Sequence, residues 1–325
     1  MRIIVVGLGS MGKRRIRLLK KISNDIEIFG VDTNEQRREV VKMEYGIKVY
    51  EDLEQALLNE NVECAVVSTA PISHAKIINQ CLKANVNVFT ELNLVDEMYD
   101  ENVKLAEENG LCLFLSSTFL YRDEVEYIMK RVNNTSSKIN YIYHIGQYLP
   151  DWHPWESFKD FFVNDKRTNG CREIFAIELP WIIKTFGDIV SYQVIKNKNT
   201  TLPIDYNDNY LVLVEHKDGD KGVLAVDVVS RKAVRNLEIF GEDIYLFWDG
   251  SPTGLFEYDY NEKKNINIQL YDRIDTMEGY SSFVIENAYQ QELETFLKVV
   301  RGEGKSRYSF VEDKKILALI DCIEG

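Results

Sequence analysis

Arg2-Ile3-Ile4-Val5-Val6 is a short apolar run of β-branched type, and Gly7-Leu8-Gly9-Ser10-Met11-Gly12 follows it at once. Lys13 to Lys20 then has helical spacing, with Ile16, Leu18 and Leu19 on its apolar side. Strand, G-x-G-x-x-G and helix in that order constrain the fold more than anything else in the chain. Gly7 allows the tight turn out of the strand. Gly9 lets the backbone approach a pyrophosphate where a Cβ would collide. Gly12 lets the helix pack close to the strand. An anion then rests on the N–H groups of the first helical turn, at Ser10, Met11 and Gly12. A second strand, Ile26 to Val31, ends in Asp32. That acid lies about 20 residues past the glycines, where a carboxylate holds a ribose diol. The spacing therefore predicts a dinucleotide site, with NAD favoured over NADP because Asp32 repels a 2′-phosphate. Arg37 and Arg38, within reach of a phosphate, are the counterweight.

Strands and helices go on alternating after Asp32. Helices are expected over 34–45 and 52–58, with a short strand at Val49 between them. Cys64 to Ser68 reads as a buried parallel strand, and Ser73 as the cap of a helix running to Leu82. Val86 to Thr90, a helix over 96–108 and Leu111 to Leu115 complete a doubly wound parallel α/β sheet of the Rossmann type. The texture changes near residue 120. A helix over 123–132 precedes alternating strands at 138–147, 210–214, 223–229, 236–240, 244–248, 256–260 and 266–270. Helices are expected over 172–186, 288–300 and 311–323. The expected division is a dinucleotide domain, 1–120, and an α+β domain, 121–325, whose open, mostly antiparallel sheet has helices on one face. Its other face needs a cover, and a second copy of the chain is the expected one.

With 325 residues, 45% of them hydrophobic and 28% charged, the chain has material for two cores. A formal charge of −13 argues against nucleic acid and anionic membrane as partners. The first residues enter a strand directly and no apolar run reaches membrane length, so a cytoplasmic protein is expected. The five cysteines are widely spaced and read as reduced core residues. The four histidines are too scattered for a metal site. His144 reads as structural and His216 as exposed.

The chain resembles the glucose–fructose oxidoreductase, inositol dehydrogenase and MocA (Gfo/Idh/MocA) family. The resemblance rests on Gly7 to Arg15, Ser68-Thr69-Ala70-Pro71-Ile72-Ser73-His74, Thr90-Glu91-Leu92, Tyr121-Arg122, and Asn169-Gly170 before a helix ending in Phe186-Gly187. Tyr148-Leu149-Pro150-Asp151-Trp152-His153-Pro154-Trp155 looks like a segment of relatives found among surface-sugar biosynthesis enzymes. The resemblance implies hydride exchange between NAD(P) and a hydroxyl of a sugar, cyclitol or sugar nucleotide, in a cleft between domains. It implies cofactor contacts from Thr69, Ala70, Pro71, His74 and Glu91, and substrate contacts from Leu92 and Arg122.

The departures are as informative. The family has Glu-Lys-Pro where this chain has Glu91-Leu92-Asn93. The family's later helix carries an Asp and, three residues on, a His; the matching positions here are Ile174 and Ile177. Oxidation of an alcohol needs a base for the hydroxyl proton, and leucine and isoleucine supply none. Glu178 lies four residues after 174, on the same helical face, and is one candidate. Glu173, rotated about 100° from 174, is the weaker one. Pro180 either kinks this helix or marks a later start for it. His153 is the second catalytic candidate, in an aromatic loop where Trp152 and Trp155 suit a sugar ring. A member of the family that binds cofactor or sugar without catalysis, as a sensor or complex partner, is the alternative.

Overall fold

The computed structural model describes residues 1–152, 157–277 and 283–325. The candidates His153 and Trp155 therefore lie outside the described residues. The chain folds into two compact units. One is Met1–Thr118 with Tyr289–Ala318, the other Phe119–Ala288 with Leu319–Gly325. The division expected at residue 120 takes no account of this return of the chain to the first unit.

In the first unit, β1 (Arg2–Val6), β2 (Glu27–Val31), β3 (Lys48–Tyr50), β4 (Cys64–Val67), β5 (Asn87–Thr90) and β6 (Leu113–Leu115) form a parallel sheet in the order β3-β2-β1-β4-β5-β6. β1 and β4 are almost wholly buried, as their unbroken apolar runs require of strands covered on both faces. The crossover helices are α1 (Ser10–Ile22), α2 (Glu35–Tyr45), α3 (Leu53–Asn59), α4 (Pro71–Lys83) and α5 (Tyr99–Glu108). Asn34 caps α2 by accepting the Arg37 N–H, and Asp52 caps α3 by accepting that of Gln55. Two starts differ from expectation. Proline preset for the first helical turn opens α4 at Pro71, and Ser73 lies inside it, donating to Ala70 O. Met98 takes a left-handed conformation, which delays α5 to Tyr99.

In the second unit, α6 (Asp123–Asn133) and α7 (Gly170–Phe186) accompany a sheet of β7 (Ile139–Gly146), β8 (Ile189–Asn197), β9 (Asn209–His216), β10 (Lys221–Asp227), β11 (Val234–Gly241), β12 (Tyr245–Trp248), β13 (Leu255–Asp259) and β14 (Lys264–Asn267). The order is β14-β13-β12-β11-β7-β10-β9-β8, antiparallel except for the β7–β10 pair. The edge strand β8 is not among the strands expected from the sequence. Most of its side chains are exposed, and only its backbone pairing with β9 marks it as a strand. α7 runs unbroken through Pro180 and lies on one face of this sheet. Phe186 stacks on Tyr141 (4.3 Å between centroids), Trp181 meets Tyr143 edge-on and Phe175 meets Tyr210. His216 sits in the same layer, buried, between the Tyr141 hydroxyl and Gly187 O, and not exposed as expected. The opposite face presents Ile142, Leu211, Leu213 and Phe247 to solvent, with Leu211 51% and Leu213 52% exposed.

The closing helices are α8 (Glu286–Val300) and α9 (Phe310–Glu324). Four cysteines lie in or against the cores, while Cys322 is exposed rather than buried. No helix among the described residues is long and apolar enough to cross a membrane.

Candidate cofactor and catalytic sites

The glycine loop can be tested atom by atom. Gly7 has φ +91°, and a Cβ there would stand 2.6 Å from Ser68 O. A Cβ on Gly12 would stand 1.8 Å from Gly7 O, so only hydrogen fits between helix and strand. Gly9 is different: its Cβ would meet nothing closer than Arg37 Nη1 at 3.8 Å. Two of the glycines are thus required by the protein's own packing, and the third leaves open space above the backbone. α1 begins beside that space with no capping side chain and no acid in its first turn. Its N-terminal N–H groups and the helix dipole favour an anion there.

Asp32, 8% exposed, accepts the Leu8 N–H at 2.8 Å through Oδ2 and the Asn34 N–H at 2.8 Å through Oδ1. The carboxylate is held rigidly against the glycine loop. Each oxygen keeps lone-pair capacity for a ribose hydroxyl. Arg38 is committed to Asp32 O and Thr33 O. Arg37, half exposed, keeps its guanidinium 3.8 Å from Asp32 Oδ2.

Of the other expected cofactor residues, Thr69 and Ala70 form the turn after β4 and Pro71 starts α4. His74 is buried within it. Its Nε2–H donates to Thr69 O (2.9 Å), and Nδ1 lies 2.6 Å from the Asn93 side-chain amide. Burial lowers its pKa, so the imidazole is neutral, and it joins the β4 turn to the segment after β5. Glu91 accepts two hydrogen bonds from Arg15, at 2.6 and 3.1 Å. Arg15 is fully buried and also holds Glu292 Oε2 at 2.9 Å. Arg14, on the same helix, is buried too, with its guanidinium over the Tyr289 ring. Leu92, between the anchored Glu91 and Asn93, is partly exposed.

Sequence reasoning missed Glu292. It accepts from Arg15, Ser116 Oγ, Ser117 N–H (2.7 Å) and Thr118 Oγ1 (3.1 Å), and is wholly buried. A signal was present. Ala288, Glu292 and Phe296 recur every four residues, so the acid lies on an apolar helical stripe.

In the second unit, Glu178 is 1% exposed, and both its oxygens are occupied. Oε2 accepts from Tyr143 OH (2.8 Å) and Trp181 Nε1 (2.7 Å), and Oε1 pairs with Arg235 at 2.7 Å. Arg122 is equally committed. It grips Glu124 with Nε and Nη2, donates to Phe283 O through Nη1, and lies over Trp248. These are the bonds of a packed interior. Trp152 donates to Gln147 O, and its ring edge abuts Gly170 at the start of α7. Ile174 is buried in the core and Ile177 partly exposed. Glu173 is partly exposed, yet its Oε2 is sealed from solvent and has no hydrogen-bond partner among the described residues. Burial raises its pKa to about 8. No metal-binding group of His, Cys, Asp and Glu occurs among the described residues.

Residues 1–117 match the oxidoreductase family with an NAD-binding Rossmann fold. The chain is 24% identical to myo-inositol 2-dehydrogenase of Thermotoga maritima, over 98% of this chain and 94% of that one. The UDP-N-acetylglucosamine 3-dehydrogenase of Acidithiobacillus ferrooxidans has the same fold: TM-score 0.76, 18% identity, covering 100% of this chain and 96% of the other. So has biliverdin reductase of Synechocystis sp. PCC 6803, solved with biliverdin and NADP+: TM-score 0.76, 14% identity, 99% and 97% covered. The first 117 residues thus match the NAD-binding Rossmann domain of the Gfo/Idh/MocA oxidoreductases, and the chain as a whole is similar to a full-length relative and shares the fold of solved oxidoreductases.

Proposed function

We propose that this protein exchanges a hydride between NAD(H) and a hydroxyl or carbonyl carbon of a sugar or nucleotide sugar. The observation that carries the reading is the cradle at the glycine loop. Gly9 is the one glycine of the motif with open space over its Cα, and the uncapped start of α1 and the clamped Asp32 lie beside it. A pyrophosphate fits over Gly9 on the N–H groups of α1, and the adenosine ribose fits the outer lone pairs of Asp32. When bound, the nicotinamide supplies the two-electron acceptor or donor. The residues of this chain orient it and exclude water, and Leu92 contributes an apolar wall. Asp32 supports NAD(H), while Arg37 beside it would welcome a 2′-phosphate. The substrate class is supported by the full-length relative, an inositol dehydrogenase.

The catalytically silent alternative rests on Leu92, Ile174 and Ile177 standing where the family has Lys, Asp and His. One experiment separates the two. NADH and NADPH are titrated by fluorescence, and cyclitols, sugars and nucleotide sugars are then screened with NAD+ and NADP+ for the absorbance of the reduced cofactor. Tighter NADH and turnover of one class are expected. Tighter NADPH refutes the cofactor assignment. Tight cofactor binding with no turnover across the panel replaces the enzyme by the silent member.

A further inference from the structure

The strand order of the first unit separates the two halves of a dinucleotide. β1 and β4 are neighbours at the point where the chain order reverses, and a dinucleotide crosses the carboxyl ends of the strands there. With the pyrophosphate over Gly9 and the adenosine ribose at Asp32, after β2, the nicotinamide half is directed the other way, towards the ends of β4 and β5. Glu91 is the first residue after β5, and its side chain is 13% exposed.

Behind Glu91 lies buried charge. Arg15 spans two carboxylates, holding Glu91 through Nε and Nη2 and Glu292 Oε2 through Nη2. Phe296, one turn after Glu292 on α8, packs edge-on against Phe89 of β5 and Phe114 of β6, with centroids 5.6 and 5.7 Å apart. The helix that carries Glu292 is thereby fixed to the strand that delivers Glu91. The other donors to Glu292 are Ser116 Oγ, Ser117 N–H and Thr118 Oγ1, in the segment after β6. These groups would bond a neutral oxygen as well, so what the acid adds is charge.

Arg14, with its guanidinium 4.5 Å from the Tyr289 centroid, is the second cation of the group. Two arginines face two carboxylates while Glu292 is ionised, and one carboxylate when it is protonated. Tyr289, on the preceding turn of α8, adds no charge, because burial raises its pKa. Burial also holds the pKa of Glu292 above the ordinary carboxylate value, against the attraction of Arg15 and with the repulsion of Glu91. Charges in a dry interior are weakly screened, so their field reaches beyond the groups they touch.

We propose that Glu292 is a positioning residue that acts through Arg15 and Glu91 and sets the preference of the site for the oxidised dinucleotide, with its cationic pyridinium ring, over the reduced one, whose ring is uncharged. This rests on the cofactor reading above. Ionised Glu292 takes up part of the Arg15 charge, and Glu91 then presents more of its own negative charge at the strand end. Protonated Glu292 leaves Arg15 to Glu91, and the attraction for a cationic ring falls. Glu292 touches no ligand. It gains or loses one proton, and no bond to the cofactor forms or breaks.

The test reads binding and not turnover. NADH is titrated by its own fluorescence and NAD+ by competition against it, with wild type and Glu292→Gln at pH 8. Unit charges roughly 10 Å apart at an effective dielectric constant of about 20 shift an equilibrium about 10-fold. Glu292→Gln should therefore weaken NAD+ by about 5-fold or more and change NADH by less than about 2-fold. A side chain with a purely structural role would weaken both forms equally. The wild-type preference for NAD+ should also rise from pH 5 to pH 9, as Glu292 ionises through its raised pKa, and Glu292→Gln should abolish that rise. The wild-type series decides the matter if the variant does not fold. Equal weakening of both forms, weakening of neither, a preference independent of pH, or a rise that persists in Glu292→Gln overturns the assignment and leaves the cofactor reading standing. If wild type binds neither NADH nor NAD+, the cofactor reading fails and the role of Glu292 fails with it.

Discussion

Arg15→Met isolates the buried charge cluster of the first unit. Arg15 and Glu292 are both wholly buried, whereas the Glu91 side chain is 13% exposed and can turn to water. The cost of the substitution is therefore set by Glu292. Removing one partner of a buried pair costs about 3–5 kcal/mol, a large part of the roughly 5–15 kcal/mol available to a domain. Stacking of the guanidinium on Phe89, 4.5 Å from its centroid, is lost as well. The pH dependence follows from Glu292. Burial already holds its pKa above the ordinary carboxylate value, despite Arg15 and the Ser117 N–H. Without Arg15 the folded pKa climbs further above the unfolded one of about 4.3. The folded state then binds more protons than the unfolded, so stability falls as pH rises. The variant should come closest to wild type near pH 4.5 and show its full deficit near pH 8. Urea unfolding followed by far-UV circular dichroism is the assay, because all four tryptophans fall between residues 152 and 248 and report the second unit. Arg15→Met/Glu292→Gln should recover about 2 kcal/mol or more of the loss. A deficit below about 1 kcal/mol at pH 8, or one that does not change with pH, would falsify this account of the cluster.

Gly12→Ala should cost about 3 kcal/mol or more, since its Cβ meets the Gly7 carbonyl at 1.8 Å. Gly9→Ala should leave the melting temperature nearly unchanged and weaken NADH about 10-fold or more in a fluorescence titration. Equal effects of the two on stability would contradict the distinct roles assigned to them. A homo-oligomer joined through the exposed face of β7, β9 and β12 is expected by sedimentation, and Leu213→Glu should dissociate it; a monomeric wild type at micromolar concentration removes the idea. Glu178→Gln leaves the largely buried Arg235 without its carboxylate and should destabilise the second unit by about 3 kcal/mol, read by tryptophan fluorescence. A 10²-fold loss of turnover with unchanged stability would instead return Glu178 to the chemistry.

What can be read from the chain before it folds is what short-range stereochemistry controls. Strand, glycine loop and helix are contiguous, and the requirement for glycine at 7 and 12 comes from backbone atoms a few residues away or in the neighbouring strand. Asp32 is equally legible, because the end of β2 is brought beside β1 by a right-handed crossover that any such run of elements makes. The state of the charged side chains had to wait for long-range packing. Arg15 looks like a surface residue in its own helix and becomes the centre of a buried cluster only because Glu292, 277 positions away, returns on α8. Glu178 and Glu173 stand five residues apart on one helix with the same side chain. One is neutralised by Arg235 and bonded to Tyr143 and Trp181; the other has a sealed oxygen and no partner among the described residues. Helical spacing ranked Glu178 first because it measures direction around an axis. Whether a carboxyl is free to exchange a proton depends on desolvation and on partners contributed by other elements, and only the folded chain brings these together.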